Sequence, residues 1–206
     1  MIVGLVVWLT NARVSGRWFN PASLWRRHNA VNELKKLLDV NDHDVGAHND
    51  LGRILVDKGR HTEALPHMEK AIARMDEAAE TNYFLGLARL HTGDTERGLA
   101  DVERALEISP GFLYGEPRLA LARWYSEAKR PREAHEQARM AVKINTSSVE
   151  GWLIAGESAA TLGQNDEARE TLGQARHAYQ HLPAYLRLPN RRYAVRARRL
   201  LKKVPS

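Results

Sequence analysis

The sequence has no cysteine in 206 residues. That excludes a disulfide-stapled scaffold and any thiolate metal site, and it fits a reducing compartment. It also lacks a run that could cross a bilayer unaided. The apolar start, Met1 to Leu9 (MIVGLVVWL), would make about 14 Å of helix against a hydrocarbon core of ~30 Å. With no basic region ahead of it and no small-residue cleavage site, it is a poor secretory signal. The motifs of common catalysis are missing too: no phosphate-cradling Gly-rich loop, no G-x-S-x-G, no H-E-x-x-H. No enzyme activity and no cofactor are therefore expected. Acidic residues are absent from 183–206, which hold eight basic ones. Residues 1–36 hold six basic and one acidic, whereas 37–182 hold 17 basic and 24 acidic. The net charge of +6 thus belongs to the ends. A mildly acidic middle argues against a nucleic-acid surface along it.

What the sequence does have is repetition. The pairs Leu51-Gly52, Leu85-Gly86, Leu121-Ala122 and Ala155-Gly156 recur. Twelve places after the second member of each stands a small residue: Ala64, Gly98, Ala134, Ala168. Seven places further stand Ala71, Ala105, Ala141 and Ala175. Between them lie Met68, Val102, Ala138 and Leu172. Aligned on these, the units begin near Val45, Ala79, Gly115 and Val149, at spacings of 34, 36 and 34 residues. Small residues at fixed sites let two helices pack closely. Gly59, Gly93 and Gly163 suit the left-handed turn that ends a first helix, and Lys129 departs from that pattern. A single such unit cannot bury its apolar face without neighbours.

This pattern resembles the tetratricopeptide repeat family, whose unit is a helix–turn–helix of about 34 residues. The resemblance implies an all-α, superhelical solenoid. It implies four units (45–78, 79–112, 115–148, 149–182), preceded by a capping half-repeat helix (20–44) and followed by a basic capping helix (183–206). It covers about two-thirds of the chain and is specific to fold rather than to function. In this family the first helices line a concave groove. The groove positions carry over to Asn49, Arg53 and Asp57; to Glu80, Tyr83, Leu87, Leu90 and His91; to Glu116, Leu119, Arg123 and Glu127; and to Glu150, Leu153 and Glu157. The clamp with which some relatives grip the acidic carboxyl terminus of heat-shock chaperones is not here. Asn49 matches in type, but Arg53, Phe84, Glu116 and Ala120 occupy the other clamp sites. What remains is an apolar strip of Tyr83, Leu87, Leu90, Leu119 and Leu153 edged by Arg53, Arg123 and glutamates. Such a strip suits a peptide or helix segment of a protein partner of mixed charge, with Tyr83, Leu87 and Leu119 anchoring its apolar side chains and Arg53 and Arg123 pairing its acidic ones. The same side chains could instead pack on one another, or be covered by Met1 to Phe19.

The ends carry further expectations. Met1–Leu9 reads as the end of a transmembrane helix that starts outside this sequence, as an interfacial anchor, or as an apolar strip packed on the repeats. The mix of Arg13, Arg17, Trp18, Phe19, Trp25, Arg26 and Arg27 leans toward a membrane. Flanking arginines would then set the repeats on the cytoplasmic side. Asn20-Pro21 starts a helix to about Asp39, with Leu24, Val31, Leu34, Leu37 and Leu38 on one side and Ala30, Leu34 and Leu37 at the Ala–bulky–Ala sites. Asp39 to Asp50 fails the calcium-loop pattern, with Asp44 where Gly belongs and Asp50 where Glu belongs, so it reads as a polar turn with caps. Asp94-Thr95, Pro131 and Asn165-Asp166 supply helix starts, and Pro66 falls in a first turn. His177 and His181 share a helix face without a third metal ligand nearby. At the end, Asn190 is expected to cap a last helix with Tyr193, Ala197, Leu200, Leu201 and Val204 in a stripe. Arg191, Arg192, Arg198, Arg199, Lys202 and Lys203 fill the rest as a solvating cap or as a patch for anionic lipid or RNA.

Overall fold

The computed structural model describes residues 21–205, with side chains from residue 29 onward. The readings of Met1 to Phe19, and of the side chains of Leu24, Trp25, Arg26 and Arg27, lie outside the described residues. Ten α-helices and one 3-10 turn, with no strand, make up the described residues. The helices are α1 (Pro21–Val40), α2 (Val45–Asp57), α3 (His61–Ile72), α4 (Ala79–Thr92) and α5 (Thr95–Ile108). After the 3-10 turn (Phe112–Gly115) come α6 (Glu116–Glu127), α7 (Pro131–Ile144), α8 (Val149–Thr161), α9 (Asn165–His181) and α10 (Ala184–Leu201). The chain divides into two compact units after Ser109. The first contains α1 to α5 and the second α6 to α10.

The recurring residues of the sequence are the core. Leu51, Leu85, Leu121 and Ala155 are fully buried, as are Ala64, Ala71, Met68, Val102, Ala105, Ala134, Ala138, Ala141, Ala168, Leu172 and Ala175. In the three hairpins with glycine as the second member of the pair, the helices approach so closely that a Cβ there would clash, while the third pair carries Ala122, fully buried. A Cβ on Gly86 would lie 2.7 Å from Val102 Cγ2 and 2.8 Å from the Gly98 carbonyl oxygen. The second contact is with backbone, which cannot swing aside. At the hairpin turns the backbone goes left-handed, with φ of +73° at Gly59, +99° at Gly93 and +77° at Gly163. Lys129, in the one hairpin without glycine there, takes the same conformation at φ +57°. The turn geometry is thus kept and the side chain carries the strain.

Position four of the hairpin has a shared role behind different residue types. His48 donates from Nε2 to the Asp42 carbonyl at 2.9 Å, Asn82 from Nδ2 to the Asp76 carbonyl at 2.7 Å, and Trp152 from Nε1 to the Thr146 carbonyl at 2.9 Å. Each ties a first helix to the turn six residues before it. Arg118, the fourth member, bonds Gln137 Oε1 instead. The turn before it is different: Leu113, Tyr114 and Gly115 all have positive φ, and two extra residues separate this hairpin from its predecessor. The first helix therefore begins at Glu116 and not at Gly115.

Several local expectations need correction. In α1 the buried residues are Val31 and Leu38, while Leu37 is exposed. Val31 and Leu38 thus lie inward as the apolar stripe implies, whereas Leu37, expected on the same side and at a repeat site, does not. Asp44 caps α2 by accepting from Ala47 N at 2.9 Å, and Ser148 caps α8 by accepting from Gly151 N at 3.1 Å. Asp94 holds the cap position of α5 without making a side-chain cap bond. Pro66 sits sixth in its helix, one turn deeper than expected, and Pro189 sits sixth in α10, where the last helix was expected to begin only after it, at Asn190. Both are exposed, so water can serve the carbonyl that loses its N–H partner. Asn190 does not cap a helix. It lies within α10, and its Nδ2 donates to the Leu186 carbonyl at 2.9 Å.

Two substitutions test this packing in urea denaturation. Gly86→Ala is expected to destabilise by ~1–3 kcal/mol through overpacking against Gly98 and Val102. Lys129→Gly is expected to stabilise by about 0.5–1 kcal/mol by relieving the left-handed turn. A neutral Gly86→Ala or a destabilising Lys129→Gly would contradict the account.

Candidate partner-binding surface

In the first unit the candidate residues lie on α2 and α4. Asn49 is buried and accepts a hydrogen bond from the Thr81 hydroxyl at 2.9 Å, joining the two first helices. Tyr83 and Leu90 are buried as well, and the Tyr83 and Phe84 rings meet edge to face with centroids 5.2 Å apart. Leu87 is half-buried and His91 exposed. The His91 ring stacks on His61 with centroids 4.1 Å apart. Arg53 reaches Asp50 Oδ1 at 3.4 Å and Glu80 Oε1 at 3.6 Å. Asp57 lies exposed at the end of α2.

In the second unit the candidates lie on α6 and α8. Leu119 and Leu153 are buried. Arg123 donates to Glu116 Oε1 at 2.7 Å and to Glu150 Oε1 at 2.9 Å. Burial works against its charge, but the two carboxylates outweigh that and hold Arg123 above the ordinary arginine value. Glu157 pairs with Arg196 of α10, and burial raises its carboxyl above the usual range despite that arginine. Leu153 belongs to the same core cluster as Ala197 of α10. Glu127 stays exposed.

The expected strip of open apolar side chains is therefore mostly a floor. Tyr83, Leu90, Leu119 and Leu153 pack inward, leaving Leu87 half-open. What faces out is charged. Arg53 pairs with Glu80 and Arg123 with Glu150, each 27 residues ahead. The same clasp thus joins the first helices of adjacent hairpins in both units. In the second hairpin Leu87 stands at the arginine position. The 27-residue offset is visible in the sequence, but sequence reading left these arginines free for a partner. Each already faces two carboxylates.

Residues 26–76 and 49–111 match the tetratricopeptide repeat family. Over residues 26–111 the chain carries tetratricopeptide repeats. Solved repeat structures share its backbone. The crystal structure of MamA is 18% identical, with 80% of this chain and 97% of that chain covered and a TM-score of 0.69. YrrB, described as a tetratricopeptide repeat protein with an unusual peptide-binding site, is 20% identical over 83% of this chain and 90% of its own, at a TM-score of 0.60. The thermophilic TTC0263 from Thermus thermophilus is 22% identical over 85% and 92%, at 0.59. At these identities the likeness is one of fold. No curated protein matches the chain. The tetratricopeptide repeat is a protein-interaction scaffold.

Beyond the repeats, the side chains of Arg191, Arg192, Arg198 and Arg199 are exposed on α10, and those of Lys202 and Lys203 in the turn that follows it. Arg192 lies over the Tyr193 ring at 4.5 Å. His181 donates from Nδ1 to the backbone carbonyl of His177 at 2.9 Å, so the pair serves the helix. Among the described residues, no three His, Cys, Asp or Glu side chains group as metal ligands. None of the described helices is long and apolar enough to cross a membrane.

A feature the sequence did not reveal is a pair of histidine contacts in the first repeats. His48 is buried, and its Nε2 proton goes to the Asp42 carbonyl, so its Nδ1 accepts from His67 Nδ1 at 2.8 Å. Burial first, then His48, Lys70 and Lys35, holds His67 below the ordinary histidine value of 6.5, against the opposing pull of Asp42. Burial first, then His91, lowers His61 in the same way. A histidine depressed in the folded state binds its proton more readily when unfolded. The stability it contributes is complete above 6.5 and is lost as pH falls through the lower, folded value. The melting temperature is therefore expected to drop as pH falls below 6.5. His61→Phe keeps the stack on His91 and should flatten part of that slope. Identical slopes would contradict the assignment.

Proposed function

We propose that the chain is a non-catalytic scaffold whose first helices hold a segment of a protein partner, a peptide or a helix. Each unit has a seat of its own, α2 and α4 in the first and α6 and α8 in the second. The carrying observation is the charge balance of the two clasps. Arg53 faces Asp50 and Glu80, and Arg123 faces Glu116 and Glu150. Each set keeps one net negative charge, so a partner's lysine or arginine gains there and a partner carboxylate would have to displace one of the chain's own. Leu87, half-open, offers the apolar contact, flanked by His91. Asn49, Tyr83, Leu90, Leu119, Leu153 and Glu157 form the floor that fixes these groups. The peptide-binding site named for YrrB supports the use of this fold for such a task.

The partner segment is thus basic and apolar. Residues 1–19 carry that chemistry in sequence, with their apolar start and Arg13 and Arg17. They are the candidate occupant from within the chain. The acidic excess of residues 37–182 and the absence of cysteine fit a cytoplasmic setting and leave nucleic acid outside this role.

The test is capture of partners from the native host by the full chain, compared with a Glu80→Gln, Leu87→Asn, Glu116→Gln, Glu150→Gln variant whose helicity is checked by circular dichroism. Rim charges worth ~0.5 kcal/mol each, plus the lost apolar contact, make capture about ten-fold weaker. Unchanged capture would sink the proposal. So would selective loss with Arg53→Gln and Arg123→Gln, which would mark an acidic partner. Deleting residues 1–19 should raise capture if they compete for the face.

A further inference from the structure

Helix α10 has an inner face that the fold uses and an outer face that it does not. Inward, Tyr193, Ala197, Leu200, Leu201 and Val204 pack on the cluster of Val149, Leu153, Leu172, Ala175 and Leu182. Outward, large apolar side chains stand open: Leu188 is 79% exposed, Tyr185 43% and Val195 40%. With about 3.6 residues per turn, Leu188 and Val195 fall on one line of the helix, opposite Ala197. Arg191 and Arg198 border that line on one side, Arg192 and Arg199 on the other, and Lys202 continues it. No acidic residue follows Leu182 in the sequence. Among the described residues Arg191, Arg198, Arg199, Lys202 and Lys203 have no ion-pair partner, while Arg196 alone on this helix meets a carboxylate, that of Glu157.

A solvating cap would need the cations but not the leucine and valine at their centre. We propose that this face of α10 lies on an anionic lipid membrane. Leu188 and Val195 enter the boundary between headgroups and acyl chains. The stems of the flanking arginines lie along that boundary while their guanidinium groups meet lipid phosphates. Each cation near such a surface strengthens binding by about five-fold. A nucleic acid answers the charge but leaves Leu188 and Val195 in water. The aliphatic centre is what selects lipid. The proposal is independent of the partner surface on the first helices.

The experiment is flotation of the full chain with vesicles of phosphatidylcholine containing roughly 30% phosphatidylserine, against phosphatidylcholine alone. The wild type should float with the anionic vesicles only. Leu188→Asn with Val195→Asn leaves the net charge intact and should weaken binding about ten-fold. Arg191→Gln, Arg198→Gln and Arg199→Gln together should weaken it about a hundred-fold. All five side chains are exposed, so circular dichroism should be unchanged and partner capture by the first helices should persist. The proposal is overturned if the wild type ignores anionic vesicles, or if the Asn variant floats like the wild type. It is equally overturned if polyuridine RNA binds as tightly as the vesicles and the Asn variant keeps that binding.

Discussion

Everything in this chain depends on how closely the two helices of a hairpin approach. At Gly86 the space left for a side chain is smaller than a methyl group, because the Gly98 backbone and Val102 already fill it. Gly156 stands in the same relation to Leu172, where an added Cβ would lie 2.6 Å from Cγ. Close approach at one point brings the neighbouring positions into register, so Met68, Val102, Ala138 and Leu172 seat fully on the opposite helix. It also sets which residues of the first helices remain outside. Burial and display are two results of the same contact.

Two kinds of polar bond then refine the arrangement. Side-chain N–H groups of His48, Asn82 and Trp152 hold each first helix to the turn before it, through three residue types and one geometry. Outside, an arginine on one first helix clasps a glutamate on the next, 27 residues on. Exposed ion pairs contribute little to stability, typically ~0–1 kcal/mol. Their consequence here is electrostatic. They neutralise the guanidinium groups of Arg53 and Arg123 on the displayed positions and leave a carboxylate excess, which sets the charge of what can bind. On α10 the balance is reversed, with cations unanswered around an aliphatic centre. The chain therefore offers two surfaces of opposite sign, each suited to a different kind of contact.

Much of the fold was legible because its signals are steric and periodic. The 34-residue spacing, the small residues at Ala64, Ala71 and their successors, and the glycines of the turns each state a packing demand that few folds make. Lys129 illustrates the limit: it departs from the residue pattern but not from the backbone conformation. The register of α1 was legible only in part, because Leu34, Leu37 and Leu38 allow two inward faces and only contact with α2 selects Leu38. Pro66 and Pro189 misled because exposure, which decides whether a helix tolerates proline, is a tertiary property. The candidate surface was legible by position and not by environment. Tyr83, Leu90, Leu119 and Leu153 stand at displayed sites of the repeat, yet neighbouring helices cover them, and α10 takes Leu153 and Glu157. The clasps are in the sequence as a recurring offset. Their meaning emerges only when both ends are seen on adjacent first helices.

The central claim is that the first helices present the working face. Hydrogen–deuterium exchange of the full chain, with and without its captured partner, tests it most directly. Partner binding is expected to slow exchange in α2 and α4, and in α6 and α8, while α3, α5, α7 and α9 keep their rates. Protection confined to the second helices, or to α10 alone, would contradict the claim and move the partner to another surface.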